Sequence, residues 1–386
     1  MINRNEIVLG IDAANIRHGG GITHLSQLLE HAKPKKSGIS KVVIWSNQNT
    51  LDKLPNKNWL KKKKTKILDG NFLKRAYWQS FKLTKELRKE KCNILFVPGG
   101  SFTTSFRPIV SMHQNQLPFE LKEIARYGIS LMTFKLIILR ISQTISFKKS
   151  NGIVFLSKYS QNRLLNVIDL KKIRYKIVPH GIEKRFFMKP REQMDISKYS
   201  PSNPYKLIYI SSIDHYKHQW NVVEAASRLR GKGYPLQLDL YGSANPKALV
   251  RLDNVIHKYD KNREYIRYNK EIDFNTIEKI YHNSDLSLFA SSCETFGQII
   301  IESMASGIPI CCSKMSSMPE ILKDGGIYFD PLDINEITKV LEELINSKDL
   351  RLSKSMKSYN YAKDFNWEKA SEQTFGFFRE VYIERS

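Results

Sequence analysis

Short apolar runs, separated by longer segments with apolar residues every three or four positions, recur along the whole chain of 386 residues. In the first half, the runs at 6–12 (EIVLGID), 41–46 (KVVIWS), 93–97 (NILFV), 108–112, 152–156 and 176–178 predict strands, and 66–68 is a further candidate. Between them the spacing predicts helices over 22–32 and 74–89. The second half repeats the alternation. Strands are expected at 206–211, 236–241, 285–290, 308–312 and 327–329, and helices at 219–230, 275–281, 296–306, 318–322 and 334–345. A terminal helix follows Asp364-Phe365-Asn366-Trp367. Strands alternating with helices imply an α/β fold with parallel, doubly wound sheets. Two such runs in a chain of this length imply two domains, 1–185 and 205–367, joined through a linker at 186–204 that is rich in charge, Ser, Asn and Pro.

The segment 119–149 departs from this alternation. Leu121, Ile124, Leu131, Phe134, Ile138 and Ile141 stand there among Lys122, Arg126, Lys135, Arg140, Lys148 and Lys149. Two readings stay open, a helix lying on a membrane interface and a helix packed between sheet and cleft. Lys135 and Arg140 interrupt the apolar run, which falls short of the roughly 20 residues of a membrane span.

Charge sharpens the picture. Residues 1–200 hold 38 Lys and Arg against 13 Asp and Glu, whereas 201–386 hold 24 against 25, so the net +24 belongs to the first half. Such a surface suits nucleic acid or an anionic membrane. No zinc-finger, RNA-recognition or helix-turn-helix pattern is present in the sequence, so the membrane is expected and nucleic acid is not. The tract Lys61-Lys62-Lys63-Lys64 is read as solvated, with contact to anionic lipid open to it. Cys92, Cys293, Cys311 and Cys312 lack metal-ligand spacing, and the N-terminal stretch has no signal-peptide apolar core. A reduced, cytoplasmic protein is the expectation.

The chemistry concentrates in 285–309, DLSLFASSCETFGQIIIESMASGIP. An apolar strand runs through a small-residue loop into a helix whose first amides, over 295–298, would seat a phosphate. Glu294 stands in the loop, and Glu302 lies inside the helix among apolar neighbours, where an unpaired carboxylate is costly and needs a polar partner. A carboxylate on either side of an anion seat suggests a nucleotide-sugar site. After the first strand of the second domain, Lys217 precedes a helix from which its ammonium can reach a diphosphate. After the first strand of the chain comes Arg17-His18-Gly19-Gly20-Gly21, where missing side chains let backbone approach a ligand. No Asp-X-Asp pair stands in the sequence to clamp a diphosphate-bound metal, so no metal and no cofactor beyond the donor is expected.

Glu294, Phe296, Gly297 and Glu302 resemble the Glu, seven residues, Glu motif of retaining glycosyltransferases of family 4. The resemblance implies the GT-B fold, two Rossmann-like domains facing across a cleft, with the terminal helix 368–386 crossing back onto the first. It implies Glu294 on the sugar hydroxyls, Glu302 on ribose, Lys217 on the diphosphate, and the Gly20-Gly21 loop and His113 toward the cleft and donor sugar. Ser211 and Ser212 stand where the family carries an arginine, so Ser212 would offer a neutral donor in its place. Tyr216-Lys217-His218-Gln219-Trp220 is similar to O-antigen mannosyltransferases of lipopolysaccharide synthesis. The implied activity is metal-independent transfer of a hexose from a GDP- or UDP-sugar to a lipid-linked glycan, with retention by front-face attack. The expected location is the inner face of the cytoplasmic membrane. A sugar-phosphate synthase or phosphorylase with a soluble acceptor, or a polyanion-binding protein without activity, are the alternatives.

Overall fold

The computed structural model describes residues 6–17, 19–270, 273 and 275–384. His18 of the glycine loop and the last two residues of the terminal segment lie outside the described residues. The chain divides into two compact units, one of residues 1–119, 129–181 and 366–386, the other of 120–128 and 182–365. The stretch 186–204, expected as a linker, is therefore part of the second unit. Glu120–Gly128 belongs to that unit as well, although the chain on either side of it belongs to the first.

The first unit is built on seven parallel strands: β1 (Ile7–Asp12), β2 (Ile39–Ser46), β3 (Leu60–Lys64), β4 (Ile94–Val97), β5 (Ile109–His113), β6 (Gly152–Phe155) and β7 (Arg174–Ile177). Their order is β3-β2-β1-β4-β5-β6-β7. The central strands β4, β5 and β6 are buried along their whole length, as expected of a parallel sheet covered on both faces.

At the edge the sequence expectation is corrected. The lysine tract is strand β3, paired with β2 from Val42↔Leu60 to Ser46↔Lys64, while 66–68 lies in a 3-10 turn, Lys66–Asp69. Lys61 and Lys63 point to one side of β3 and, with Lys41 of β2, close on Glu90 at 2.8, 3.2 and 2.9 Å. Hydrogen bonds from Lys61 and Lys41 hold the Glu90 carboxyl down to about 2. Lys62, on the other side, donates to the Leu54 carbonyl and Asn56, both at 2.7 Å. At least three of these four lysines are thus engaged in holding the edge together.

The 119–149 segment also resolves differently from either simple picture. Phe119 is buried in the first unit, and the short helix Leu121–Ala125 joins the second. Helix Leu131–Lys149, capped by Ser130 accepting from the Thr133 amide, returns to the first. It buries Leu136, Gln143, Ser146 and Phe147 on one side. On the other, Leu131, Phe134, Ile138, Ile141 and Ile145 are exposed. The spacing 134, 138, 141, 145 is one continuous helical stripe. Helix Phe72–Phe81 exposes Phe72, Leu73, Tyr77 and Phe81 in the same unit. The loop after β4 touches both helices, with Ser80 Oγ donating to Thr103 Oγ1 (2.8 Å) and the Phe102 amide to Ser146 Oγ (2.9 Å). No helix among the described residues is long and apolar enough to cross a membrane.

The second unit holds six parallel strands: β8 (Tyr205–Ile210), β9 (Leu236–Tyr241), β10 (Ile266–Asn269), β11 (Leu286–Phe289), β12 (Ile310–Ser313) and β13 (Ile327–Phe329). They run in the order β10-β9-β8-β11-β12-β13, so successive connections diverge on either side of the β8–β11 pair. Such a switch point opens a crevice at the carboxyl ends of the two strands. The loops that follow β8 and β11 carry Lys217 and Glu294.

Candidate functional site

The loop after β8 is fixed turn by turn. Asp214 caps the 3-10 turn His215–Lys217, accepting from the His215 amide (2.8 Å) and from Tyr127 Oη (2.7 Å). Tyr127 comes from the 120–128 strap, and its ring meets His215 edge-on at 4.9 Å. Tyr209 Oη, from within β8, donates to the Lys217 carbonyl (2.5 Å). His218 adopts a left-handed conformation, φ 49°, which turns the chain into helix Gln219–Gly231. Its Nε2 bonds Ser292 Oγ (2.9 Å), and the Ser292 amide donates to the Tyr216 carbonyl (2.9 Å), lacing the β8 and β11 loops together.

Between these loops lies the Lys217–Glu294 ion pair. Its side chains are only 8% and 18% exposed. Lys217 Nζ also stands 4.8 Å from the centre of the Phe289 ring and 5.0 Å from that of Tyr216. Ser291 Oγ donates to Glu294 Oε1 (2.7 Å), and the Glu294 amide donates to Ser316 Oγ (3.0 Å). A partly desolvated lysine and carboxylate on two adjacent loops give the site both an anion-binding group and a hydroxyl-orienting group. Ser212 is exposed at the mouth of the β8 loop, and its carbonyl accepts from Gln219 Nε2 (2.8 Å).

The turn into helix Gln298–Ala305 depends on Gly297, whose φ of 87° disfavours a side chain. A Cβ there would also lie 2.5 Å from Met318 Cε. Phe296 is buried against Phe365, with ring centres 5.7 Å apart, and its carbonyl accepts from Ser317 Oγ (2.9 Å). Phe296 and Gly297 thereby set the height at which the helix begins.

Glu302 is 5% exposed and finds the polar partner that its apolar setting demands: Tyr281 Oη donates to Oε2 at 2.9 Å. Burial pushes its carboxyl up to about 7, against that bond and the positive charge of Arg185. Oε1 has no hydrogen-bond partner among the described residues.

In the first unit, Gly20 and Gly21 open helix Gly20–Glu30 after Gly19, whose φ is 63°. A Cβ on Gly21 would lie 3.6 Å from Gln114 Oε1, so the glycine loop and the loop after β5 adjoin. His113, expected to meet a donor sugar, is 0% exposed. Its ring packs against Phe119, Phe147 and Phe155, with centres 5.5, 5.7 and 5.8 Å away, and Nε2 bonds Gln116 (3.0 Å). Burial lowers its pKa to about 4, so a neutral imidazole is locked in an aromatic cage. The structure thus shows the His113 ring enclosed by aromatic side chains and held by Gln116. Tyr127, Tyr281, Ser291 and Ser316 are parts of this site that the sequence reading missed; only Ser291 and Ser316, hydroxyl bearers just after β11 and β12, carried a signal. Among the described residues no three of His, Cys, Asp and Glu form a metal-binding group.

Comparison with known proteins agrees with this geometry. The sequence pattern of the family "Glycosyl transferases group 1" matches residues 190–363. The O-antigen chain mannosyltransferase B of Escherichia coli is 28% identical over 115 residues, 30% of this chain and 30% of that protein. The matched stretches span half or less of the length of the curated relatives. Sucrose-phosphate synthase from Thermosynechococcus elongatus superposes with a TM-score of 0.76 over 98% of this chain and 100% of that one, at 14% identity. Anabaena HepE, solved with UDP and glucose, superposes with a TM-score of 0.69 over 95% of this chain and 97% of that one, at 16% identity. At such identities the likeness is one of fold, and that fold is GT-B, two Rossmann-like domains.

Proposed function

We propose, for a chain whose residues 190–363 are a glycosyl transferases group 1 domain, that it moves a hexose, mannose foremost, from a nucleotide diphosphate sugar to a lipid-linked glycan with retention and without a metal. The observation that carries this is the Lys217–Glu294 pair at the switch point of the second sheet. A diphosphate arriving there competes with Glu294 for the ammonium. Lys217 then stabilises charge on the leaving phosphate, and Glu294 is released to accept from sugar hydroxyls. The bond from the anomeric carbon to the phosphate oxygen breaks while the acceptor oxygen bonds that carbon on the same face. The acceptor's proton passes to the departing phosphate. Ser212 adds a neutral donor, the helix amides after Gly297 add partial positive charge, and Glu302 Oε1 holds ribose.

The exposed stripes of the first unit support the membrane location proposed for this chain, and with it a lipid-linked acceptor. The stripe Phe134, Ile138, Ile141 and Ile145, with Leu73, Tyr77 and Phe81, would sit in the headgroup boundary of an anionic membrane at its cytoplasmic face, with Lys74, Lys135, Lys148 and Lys149 on lipid phosphates. Relatives of O-antigen type support a polysaccharide or lipopolysaccharide product.

The experiment is a thermal-shift screen against UDP, GDP and their sugars, then transfer to a lipid-linked acceptor in the presence of EDTA. Turnover should survive the chelator, and Lys217→Ala should lose about 10²- to 10³-fold in kcat. Activity abolished by EDTA and restored by magnesium, or a Lys217→Ala enzyme of full activity, would refute the assignment.

A further inference from the structure

Along one face of β8, β9 and β10 the second unit has a cavity of about 640 Å³, lined by Lys206 at the start of β8 and by helix Ile277–His282. Here β8, β9 and β10 turn polar side chains outward. Parallel registration sets Lys206 beside Gln237 and Asp239 beside Arg267 on one face. Gln237 and Asp239 form the floor, 6% and 7% exposed, with Gln237 Nε2 donating to Asp239 Oδ2 at 2.7 Å. Lys279 faces them from the helix, and Tyr241 lines the wall. Among the described residues the side-chain nitrogens of Lys206, Arg267 and Lys279 make no hydrogen bond or ion pair. Burial pushes the Asp239 carboxyl up, opposed by its bond from Gln237 and by the Arg267 and Lys206 charges.

Three uncommitted cations around a floor of one carboxylate and one amide, with an aromatic wall, suit a ligand that carries both a negative group and a set of hydroxyls. We infer that this cavity is a second binding site, separate from the donor site, for an anionic sugar. The phosphoryl or carboxylate group meets Lys206, Arg267 and Lys279. Asp239 accepts from hydroxyls and Gln237 shares their hydrogen bonds, while the apolar face of the ring lies against Tyr241. A free sugar phosphate and an acidic sugar unit of a glycan chain present the same chemistry.

Isothermal titration of the intact chain distinguishes them, with glucose 1-phosphate, trigalacturonate, glucose and inorganic phosphate as probes. One of the first two should bind at one site per chain. Arg267→Ala and Lys206→Gln, both on exposed or half-exposed side chains, should each weaken it at least tenfold, whereas Lys217→Ala should leave it unchanged. Preference for glucose 1-phosphate identifies a free sugar phosphate, and preference for trigalacturonate identifies an acidic glycan. Three results overturn the inference: no binding of either probe, inorganic phosphate binding as tightly as both, or a loss that follows Lys217→Ala and spares Arg267→Ala. Loss of donor turnover in Lys217→Ala with probe binding intact separates this site from the proposed transfer chemistry.

Discussion

Helices Leu131–Lys149 and Ile334–Asn346 both carry apolar residues at helical spacing, and they use them in opposite ways. The second buries Ile337, Val340, Leu341, Leu344 and Ile345 in its own unit. The first turns Phe134, Ile138, Ile141 and Ile145 outward and packs the opposite side with Leu136, Gln143, Ser146 and Phe147. Amphipathic spacing therefore states that a face will be covered without stating by what. In the second unit the cover is the protein's own core. In the first, basic residues flank the stripe, and an anionic surface is the cover proposed for it.

The contrast breaks most plainly on stability. Ile337→Ala should cost about 2 to 5 kcal/mol of unfolding free energy by chemical denaturation, whereas Ile138→Ala should stay within about 0.5 kcal/mol. Equal losses would mean that the outward stripe is covered within the fold. Membrane binding sharpens the same contrast from the other side. Burying one aliphatic side chain is worth about 1.5 to 3 kcal/mol, so Ile138→Glu with Ile141→Glu should weaken co-sedimentation with anionic vesicles by at least tenfold. Binding of the unaltered chain should itself fall between roughly 0.1 and 1 M salt as screening shortens. Equal sedimentation with neutral vesicles would remove charge from the account.

The smallest expected effect lies in the second unit, at Glu302. Its folded carboxyl titrates near 7, above the ordinary 4.5, so the contribution to stability is full below the lower value and is lost as pH rises through about 7. Glu302→Gln should therefore gain melting temperature relative to the unaltered chain at pH 8.5 and not at pH 4. If its ionised form holds ribose, donor KM should climb severalfold as pH falls below 7 in the unaltered enzyme and stay flat in the glutamine variant. Parallel pH profiles in the two would detach Glu302 from the nucleotide.

Much of this was legible in the sequence. The strands at 236–241 and 327–329 and the helix at 318–322 match the structure residue for residue, because bounded apolar runs and a proline-marked helix start left little choice. Lys217 and Glu294 were named separately, and the structure pairs them. What escaped depends on contacts distant in sequence. A run of four lysines has no strand pattern, and it becomes β3 only through the ladder to β2 and the charge of Glu90. The strand Ile266–Asn269 is half-exposed and interrupted by Arg267, so its apolar signal is a single buried Ile. The Tyr127–Asp214 bond spans 87 residues and requires a strap to leave one unit for the other, which no local periodicity encodes. The enclosure of His113 follows from three phenylalanines on three different elements.

The lysines of β3 also bear on how the chain behaves at high concentration. An open sheet margin offers unpaired amides and carbonyls to any extended segment, including the same margin of another copy. Docking two such margins would stack lysine on lysine at a strand separation of about 4.8 Å. Each copy brings one Glu90, which offsets only part of the charge of Lys41, Lys61 and Lys63 around it. The cations that steady this edge from inside thus discourage its growth from outside, and the chain should stay dispersed where a valine-rich margin would seed fibres.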